Sequence, residues 1–418
     1  MSRPDSGATG TIGSHEDAIA AVGGGVIAAQ GFVSAALHCG IKAGDALDLA
    51  VIAADRTVAA AGIFTTNLAQ APPVRLCRQH LAETGGRARA IVVNSGCANA
   101  CTGAAGEAAA ARMAAETAAA LGCPPTNVLV ASTGVIGVAL PMDRLVPGIR
   151  RAVAGLGRNT GHETARAIMT TDTFPKEHAV RVTSARGAFT VGGIAKGAGM
   201  IEPNMATMLA FLTTDAAVPP ALLDRALRES ARDTFNAITV DGDGSTNDSV
   251  LVLASGATGV EIDKDLYPIL LAGMRAVSLE LALDVVRGGE GATKLVTVRV
   301  HDAASGDDAR RVARTIANSL LVKTAVHGAD PNWGRIVAAS GRAGVAFEIA
   351  QATVHVGGVL LFERGVPHDD ASPLAEQHLQ GTDVRIEVGL GTGGGQEATV
   401  WTCDLSAEYV RINGEYRT

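Results

Sequence analysis

The sequence predicts a mixed α/β fold of the α+β kind, in which helices pack against sheets. Apolar runs with strand character alternate with helical segments in both halves of the 418-residue chain, with no regular strand–helix–strand spacing and no repeat period. Hydrophobic residues make up 47% of the sequence and aromatic residues only 3%, so Ala, Val, Leu and Ile must fill the core. The 50 glycines cluster between these runs and predict many tight turns.

The first half is predicted to contain short strands and one clear helix. The helix covers residues 105–121, is almost pure alanine, and ends at Gly122, which suits a helix C-terminus. The last two strands of this half alternate apolar and polar residues as a hairpin does. The predicted strands span residues 47–53, 59–65, 127–131, 179–182 and 189–194.

The second half is predicted to contain three longer helices and several strands. The first two helices have prolines near their starts, where a missing N–H group is tolerated. The predicted helices span residues 219–235, 266–286 and 307–322. The predicted strands span residues 249–254, 295–300, 354–362, 384–388 and 398–403.

The composition argues against several classes of protein. A net charge of -7 and the absence of a long basic run argue against nucleic-acid binding. No uninterrupted apolar stretch reaches the roughly 18 residues of a membrane span. The polar residues 1–20 read as a flexible leader without a signal-peptide core. Six sparse cysteines favour reduced thiols, so the expectation is a cytoplasmic protein.

Neither a metal site nor a bound cofactor is predicted. Cys97 and Cys101 have no second Cys or His pair at zinc-ligand spacing. The acidic loop 239–248 lacks both the glycine and the final glutamate of a calcium-binding loop. Residues 389–394 match a dinucleotide-binding spacing but precede a strand, so they are predicted to form a turn.

The stretch from Lys196 to Asp215 is the strongest candidate for chemistry. A glycine-bearing loop leads into Thr207, which opens an apolar run with strand character. If the chain were cut before Thr207, its hydroxyl would gain its own α-amine as a base and become a self-contained nucleophile. The alternative is an ordinary strand threonine, which is common in sheets. From these residues alone, the structural interpretation is the more frequent one.

Two segments, Lys196-Gly-Ala-Gly-Met and Pro203-Asn-Met-Ala-Thr-Met-Leu, resemble the self-cleavage segment of the ornithine acetyltransferase family. Members of this family are also called bifunctional glutamate N-acetyltransferases. The resemblance extends from about residue 23 to the end of the chain. It implies the self-processing, N-terminal-nucleophile-like fold of that family and cleavage between Ala206 and Thr207. The products would be an alpha chain, residues 21–206 after the leader, and a beta chain, residues 207–418.

The resemblance also implies roles for several other residues. Thr133 and Gly134, in a Ser-Thr-Gly segment after a predicted strand, would stabilise the oxyanion, although such a tripeptide is also a common turn. The predicted substrate-binding residues are Thr173, Lys196, Thr207, Glu290, Asn413 and Thr418. Taken alone, Glu290 is a surface glutamate and the terminal residues would fray. The sequence departs from the family at Gly288, where aspartate is usual.

The implied reaction moves acetyl from N-acetylornithine to glutamate in arginine biosynthesis, through an acetyl-Thr207 intermediate. Whether acetyl-CoA is a second donor stays open, and in either case it would be a substrate and not a bound cofactor. The implied assembly is a heterotetramer of cleaved alpha and beta chains, without nucleic-acid or membrane partners. Two alternatives remain: an N-terminal-nucleophile amidohydrolase or aminopeptidase that passes the acyl group to water, and a non-enzymatic small-molecule binder.

Overall fold

The computed structural model describes residues 18–202 and 208–415. Within them, two β-sheets carry helices on their faces, which confirms the mixed α/β prediction. The first strand begins at Ile19, inside the predicted leader, while residues 1–17 lie outside the described part. No helix in the described ranges is long and apolar enough to cross a membrane.

The larger sheet has nine strands and contains most of the first half of the chain. Its order is β1-β6-β7-β8-β9-β3-β4-β5, and β2 pairs with β3. The strands are β1 (Ile19–Val22), β2 (Phe32–Leu37), β3 (Leu49–Phe64), β4 (Arg87–Cys97), β5 (Val128–Val135), β6 (Lys176–Ser184), β7 (Gly187–Lys196), β8 (Leu209–Thr214) and β9 (Ser249–Ala254).

The central strand β8 is apolar throughout because both faces of the sheet are covered. Leu212 packs into one core and its neighbour Phe211 into another, as alternate residues of a strand must. Strand β8 pairs antiparallel with β7 and parallel with β9. This register sets Lys196, the last residue of β7, opposite Leu209, the first residue of β8.

Helices α5 and α6 contribute to the core on one face of this sheet, and α1 and α4 to the core on the other. Helices α2 and α3 pack with β4 and β5 in a third core. These six helices are α1 (Pro72–Glu83), α2 (Gly103–Leu121), α3 (Met142–Ala154), α4 (Gly161–Ala167), α5 (Pro220–Arg232) and α6 (Tyr267–Arg287).

The smaller sheet has six strands in the order β13-β12-β11-β14-β10-β15 and a separate hydrophobic core. Its strands are β10 (Leu295–Ala303), β11 (Thr353–Val356), β12 (Val359–Glu363), β13 (Val366–Pro367), β14 (Asp383–Gly389) and β15 (Gln396–Cys403). The remaining helices are α7 (Gly306–Ala317), α8 (Leu320–His327), α9 (Trp333–Gly341), α10 (Ser372–Leu379) and α11 (Ala407–Glu415).

Three predicted boundaries are wrong for identifiable reasons. The two short strands at 47–53 and 59–65 are one strand, β3, interrupted by a register shift. The helix at 307–322 is two helices, because the Ser319 side chain accepts a hydrogen bond from the Val322 amide and starts α8 anew. The strand at 354–362 is a hairpin, since Gly357 and Gly358 both have positive φ and form its turn.

Candidate active site

A cavity of about 230 Å³ lies where several of these elements end. Its walls come from the end of β5, the end of β7, the loop before β9, the turn after α6, and α11. Five residues predicted from the sequence line it, namely Thr133, Gly134, Lys196, Glu290 and Asn413. Other lining residues include Ala98, Thr170, Thr171, Gly199, Met200, Asp241, Asp243, Asn247 and Tyr409. The cavity therefore gathers segments that are far apart in the sequence.

The oxyanion candidates Thr133 and Gly134 lie at the end of β5, where it runs parallel to β4. Gly134 has φ +125°, and an added Cβ atom would lie 2.3 Å from the carbonyl carbon of Gly96. Only glycine fits this close approach of two strands. The side-chain Nδ2 of Asn247 donates to the carbonyl of Ser132 at 2.9 Å, which ties this strand end to the loop before β9.

Lys196, at the end of β7, contacts Thr133 at the end of β5, although four strands separate β7 from β5 in the sheet order. Its side chain is only 4% exposed, and its Nζ donates to Thr170 Oγ1 at 2.8 Å and to Thr133 Oγ1 at 3.3 Å. Burial lowers the pKa of Lys196, although the nearby Asp172 carboxylate opposes that shift. The ammonium is therefore a buried hydrogen-bond donor beside the oxyanion candidates.

Asp172 and Lys176 form a completely buried ion pair behind Lys196. Lys176 Nζ lies 2.7 Å from Asp172 Oδ1, and Lys196 Nζ lies 4.0 Å from Asp172 Oδ2. Burial alone would raise the pKa of Asp172, but Lys196, Lys176 and the Gly197 amide lower it to about 2. Asp172 is therefore a carboxylate at all ordinary pH values.

Thr173, a predicted substrate contact, is exposed and does not line the cavity. Its neighbours Thr170 and Thr171 line it instead. The sequence segment that suggested Thr173 contains all three threonines, but nothing in its pattern indicates which of them faces the site. The role of Thr173 stays a prediction.

Acidic side chains line another part of the cavity. Glu290 is 8% exposed, and its Oε2 accepts a hydrogen bond from Asn413 Nδ2 at 2.8 Å. Its backbone amide donates to the carbonyl of Ala198 at 2.8 Å. An added Cβ atom at Gly199 would lie 2.4 Å from Glu290 Oε2, so the glycine leaves room for the carboxylate.

Asp241 and Tyr409 extend this acidic part and were missed in the sequence. Asp241 accepts hydrogen bonds from the amides of Met200 and Ile201, at 2.6 and 2.9 Å, and from the Tyr409 hydroxyl at 3.2 Å. Burial raises the pKa of Asp241. The sequence signal that could have found Asp241 was the acidic loop 239–248, whose spacing resembles that of a metal-binding loop. In the structure, Asp241 of this loop accepts hydrogen bonds from backbone amides. Within the described ranges, no cluster of His, Cys, Asp or Glu could hold a metal ion.

The proposed cleavage residues Ala206 and Thr207 and the predicted contact Thr418 lie outside the described residues. The residue after Thr207 is described: the Met208 amide donates to Asp248 Oδ1 at 3.0 Å. Asp248 is 2% exposed, and burial raises its pKa well above the ordinary value. Its Oδ2 has no hydrogen-bond partner in the described part of the chain.

The chain is similar over nearly its whole length to known proteins. The ArgJ family model matches residues 33–418. The arginine biosynthesis bifunctional protein ArgJ of Symbiobacterium thermophilum is 49% identical over 400 residues, which cover 94% of this chain and 99% of that protein. The protein of the same name from Dehalococcoides mccartyi is 47% identical over 400 residues, covering 94% of this chain and 98% of its own length.

Among solved structures, ArgJ of Bacillus halodurans has 38% identity and a TM-score of 0.47, covering 49% of this chain and 97% of that chain. The ornithine acetyltransferase of Mycobacterium tuberculosis, complexed with ornithine, has 42% identity and a TM-score of 0.41, covering 44% and 98%. The family match and the full-length relatives establish the relationship. The chain belongs to the ArgJ family.

Proposed function

We propose that this chain moves an acetyl group from N-acetylornithine to glutamate through an acetyl ester on Thr207, after cutting itself between Ala206 and Thr207. The reaction class follows from the family: the chain is a bifunctional ornithine acetyltransferase and glutamate N-acetyltransferase of arginine biosynthesis. The residue roles, the cleavage and the order of steps are the proposal.

In the first stage the Thr207 hydroxyl attacks the carbonyl carbon of Ala206. The carbon–nitrogen bond between the two residues breaks, the Thr207 nitrogen takes up a proton, and an ester links the two parts of the chain. Water then hydrolyses the ester, leaving a carboxylate on Ala206 and a free hydroxyl and α-amine on Thr207. The product is a nucleophile that has its own general base.

In the second stage the α-amine of Thr207 accepts the hydroxyl proton as the oxygen attacks the acetyl carbonyl of N-acetylornithine. The Thr133 hydroxyl and the Gly134 amide donate to the oxyanion of the tetrahedral intermediate. The bond to ornithine breaks, and its amine leaves with the proton. The glutamate amine then attacks the acetyl ester by the same steps in reverse, so the two half-reactions share one site.

The observation that carries the proposal is the meeting of Thr133, Gly134 and Lys196 with Glu290 and Asn413 in one small cavity. A volume of about 230 Å³ lies below the roughly 300–1,000 Å³ of drug-sized ligand pockets, which suits an acetylated amino acid. A buried carboxylate suits the ammonium group of ornithine, and the cationic end of the cavity suits an oxyanion or a carboxylate.

The cleavage is tested by intact mass measurement after denaturation. We expect two chains from the wild-type protein and one uncut, inactive chain from Thr207→Ala. Thr207→Ser is the matched control, because it keeps a hydroxyl and should still cut, more slowly. Fully active wild-type protein that stays in one piece would rule out the mechanism.

The transfer is tested by following acetylornithine with and without glutamate, with product masses recorded. We expect acetylglutamate and ornithine in equal amounts and little acetate when glutamate is absent. Release of acetate at the same rate without glutamate would favour the amidohydrolase. Acetyl-CoA in place of acetylornithine tests the second donor. A binder without catalysis would give neither product and no cut.

Two further parts of the proposal concern assembly and location. We expect a cytoplasmic protein containing two alpha and two beta chains. Light scattering on the native protein, combined with the denatured masses, gives this stoichiometry directly. A native mass equal to that of one alpha and one beta chain would contradict it.

A further inference from the structure

The hydrogen bond between Lys196 and Thr133 fixes the direction of the Thr133 hydroxyl. An ammonium group has only donors, so the Thr133 oxygen must accept and its own hydrogen must point elsewhere. Within the described ranges, no protein acceptor takes that hydrogen. Because Thr133 lines the cavity, its hydrogen is available to an oxygen bound there. This is the orientation that an oxyanion donor needs.

Asp172 holds Lys196 in two ways. Its Oδ1 accepts a hydrogen bond from the amide of Gly197, the next residue, at 2.7 Å, and thereby fixes the backbone at Lys196. Its Oδ2 lies 4.0 Å from the Lys196 ammonium and accepts from the amide of Thr170 at 3.0 Å. The Thr170 side chain is in turn the closest acceptor of Lys196. One carboxylate therefore positions the lysine and its neighbouring acceptor together.

The charges around this carboxylate do not cancel. Lys176 and Lys196 both face Asp172, and the Lys196 ammonium contributes to lowering the pKa of Lys42. Burial lowers the pKa of Lys42 to about 8, with Asp48 and Asp172 opposing the shift. Two ammonium groups therefore face the single Asp172 carboxylate, which favours negative charge next to them.

We propose that Asp172 is a positioning residue, which holds the Lys196 ammonium on Thr133 so that the Thr133 hydroxyl donates to the oxyanion. The Asp172–Lys176 ion pair is the support of this arrangement, and neither residue touches the acetyl group. The inference rests on the proposed acetyl transfer and adds a role to a pair that the transfer itself does not use.

The first test is Asp172→Asn, which keeps the shape and removes the charge. We expect kcat to fall by about 10- to 100-fold, less than the 10²–10³ of deleting an oxyanion donor, with the KM for acetylornithine nearly unchanged. The alkaline limb of the kcat profile should move to lower pH, because Lys196 loses the carboxylate that keeps it protonated. Asp307→Asn, which removes an exposed carboxylate, is the matched control and should change neither.

Asp172→Asn leaves the buried Lys176 ammonium without a carboxylate partner, which can prevent folding. Asp172→Asn combined with Lys176→Met removes both charges and is expected to fold while keeping the loss of kcat. A double-mutant cycle with Thr133→Ala then separates a positioning role from a general disturbance of the structure. If Asp172 acts through Thr133, Asp172→Asn should cost little more in the Thr133→Ala background. Equal losses of kcat in both backgrounds would overturn the proposal.

A readout without turnover separates this inference from the proposed reaction. Titration of isotope-labelled lysine side chains by NMR, with Lys196→Met for assignment, should give a lower pKa for Lys196 in Asp172→Asn than in the wild type. An unchanged Lys196 pKa would overturn the positioning role even in a protein that proves inactive. If the wild type transfers no acetyl and Asp172→Asn still lowers the pKa of Lys196, the proposed function alone is refuted.

Discussion

The two ends of the cavity differ in charge, burial and support. At the lysine end, Thr133 and Lys196 line the cavity and the Asp172–Lys176 pair lies behind them; these four residues are 0 to 8% exposed and lie on strand ends and the segment next to them. The carboxylate end combines Asp241 and Glu290 from loops with Tyr409 and Asn413 from α11. That helix has no buried residue of its own in the described part of the chain.

This difference indicates how the work is divided between the two ends. Charge develops on the acyl oxygen during the reaction, and its stabilisation requires donors that are fixed beforehand. Strand ends and a buried ion pair supply such donors. The carboxylate end has only to recognise an amino group, and hydrogen bonds between side chains are sufficient to close it around a substrate. We therefore expect changes at the lysine end to affect kcat, and changes at the carboxylate end to affect KM.

The largest effect is expected from Thr133→Ala at the lysine end. Removing one oxyanion donor typically costs about 10²–10³ in kcat, and the KM for acetylornithine should change little. Steady-state kinetics on the purified protein measures both constants. Thr382→Ala, which removes an exposed threonine that does not line the cavity, is the control and should leave kcat intact. A large rise in KM with unchanged kcat for Thr133→Ala would reverse the division proposed above.

The next largest effect is expected from Glu290→Gln at the carboxylate end. A hydrogen bond to a charged group contributes about 1.5–3 kcal/mol, which corresponds to roughly 10- to 150-fold in KM for acetylornithine. The amide retains the contact with Asn413, so the structure of this end should persist. Steady-state kinetics of each half-reaction measures kcat and KM, and thermal unfolding checks that the variant remains folded. A loss confined to kcat would contradict the recognition role.

The smallest effect is expected from Tyr409→Phe. It removes one hydrogen bond to Asp241, worth about 1 kcal/mol, and should raise KM by roughly fivefold with kcat nearly constant. Since α11 is held at the cavity partly by this contact, Tyr409→Phe should also increase amide exchange in α11. Hydrogen exchange with mass spectrometry measures this loosening. An unchanged exchange rate would show that α11 docks without the Tyr409–Asp241 hydrogen bond.

The sequence predicts residues whose short segments are distinctive and fails where the geometry is set by distant contacts. Thr133, Gly134 and Lys196 stand in recognisable segments and do line the cavity. Asp172 gives no such signal, because its amide partner Gly197 is 25 residues away. Likewise, no periodicity in the irregular segment before β6 distinguishes Thr170 from Thr173.

Gly288 lies against the Lys176 side chain of the buried ion pair, a contact that the sequence does not indicate. An added Cβ atom there would lie 3.2 Å from Lys176 Nζ. The aspartate that the family resemblance leads one to expect would therefore compete with Asp172 for the same ammonium. With glycine at position 288, the Lys176 ammonium pairs with Asp172 and meets no second carboxylate there. The residue at the end of α6 thus bears on an ion pair formed by a distant segment.

The order β7-β8-β9-β3 has a consequence for the life of the processed protein. Strands β8 and β9 follow the proposed cleavage point, while β7 and β3 on either side precede it. After the proposed cleavage, two strands of the beta chain, β8 and β9, would thus pair between two strands of the alpha chain, β7 and β3. Such a protein would fold first as a single chain. After cleavage and denaturation, refolding would require two chains to associate, so its rate would fall on dilution.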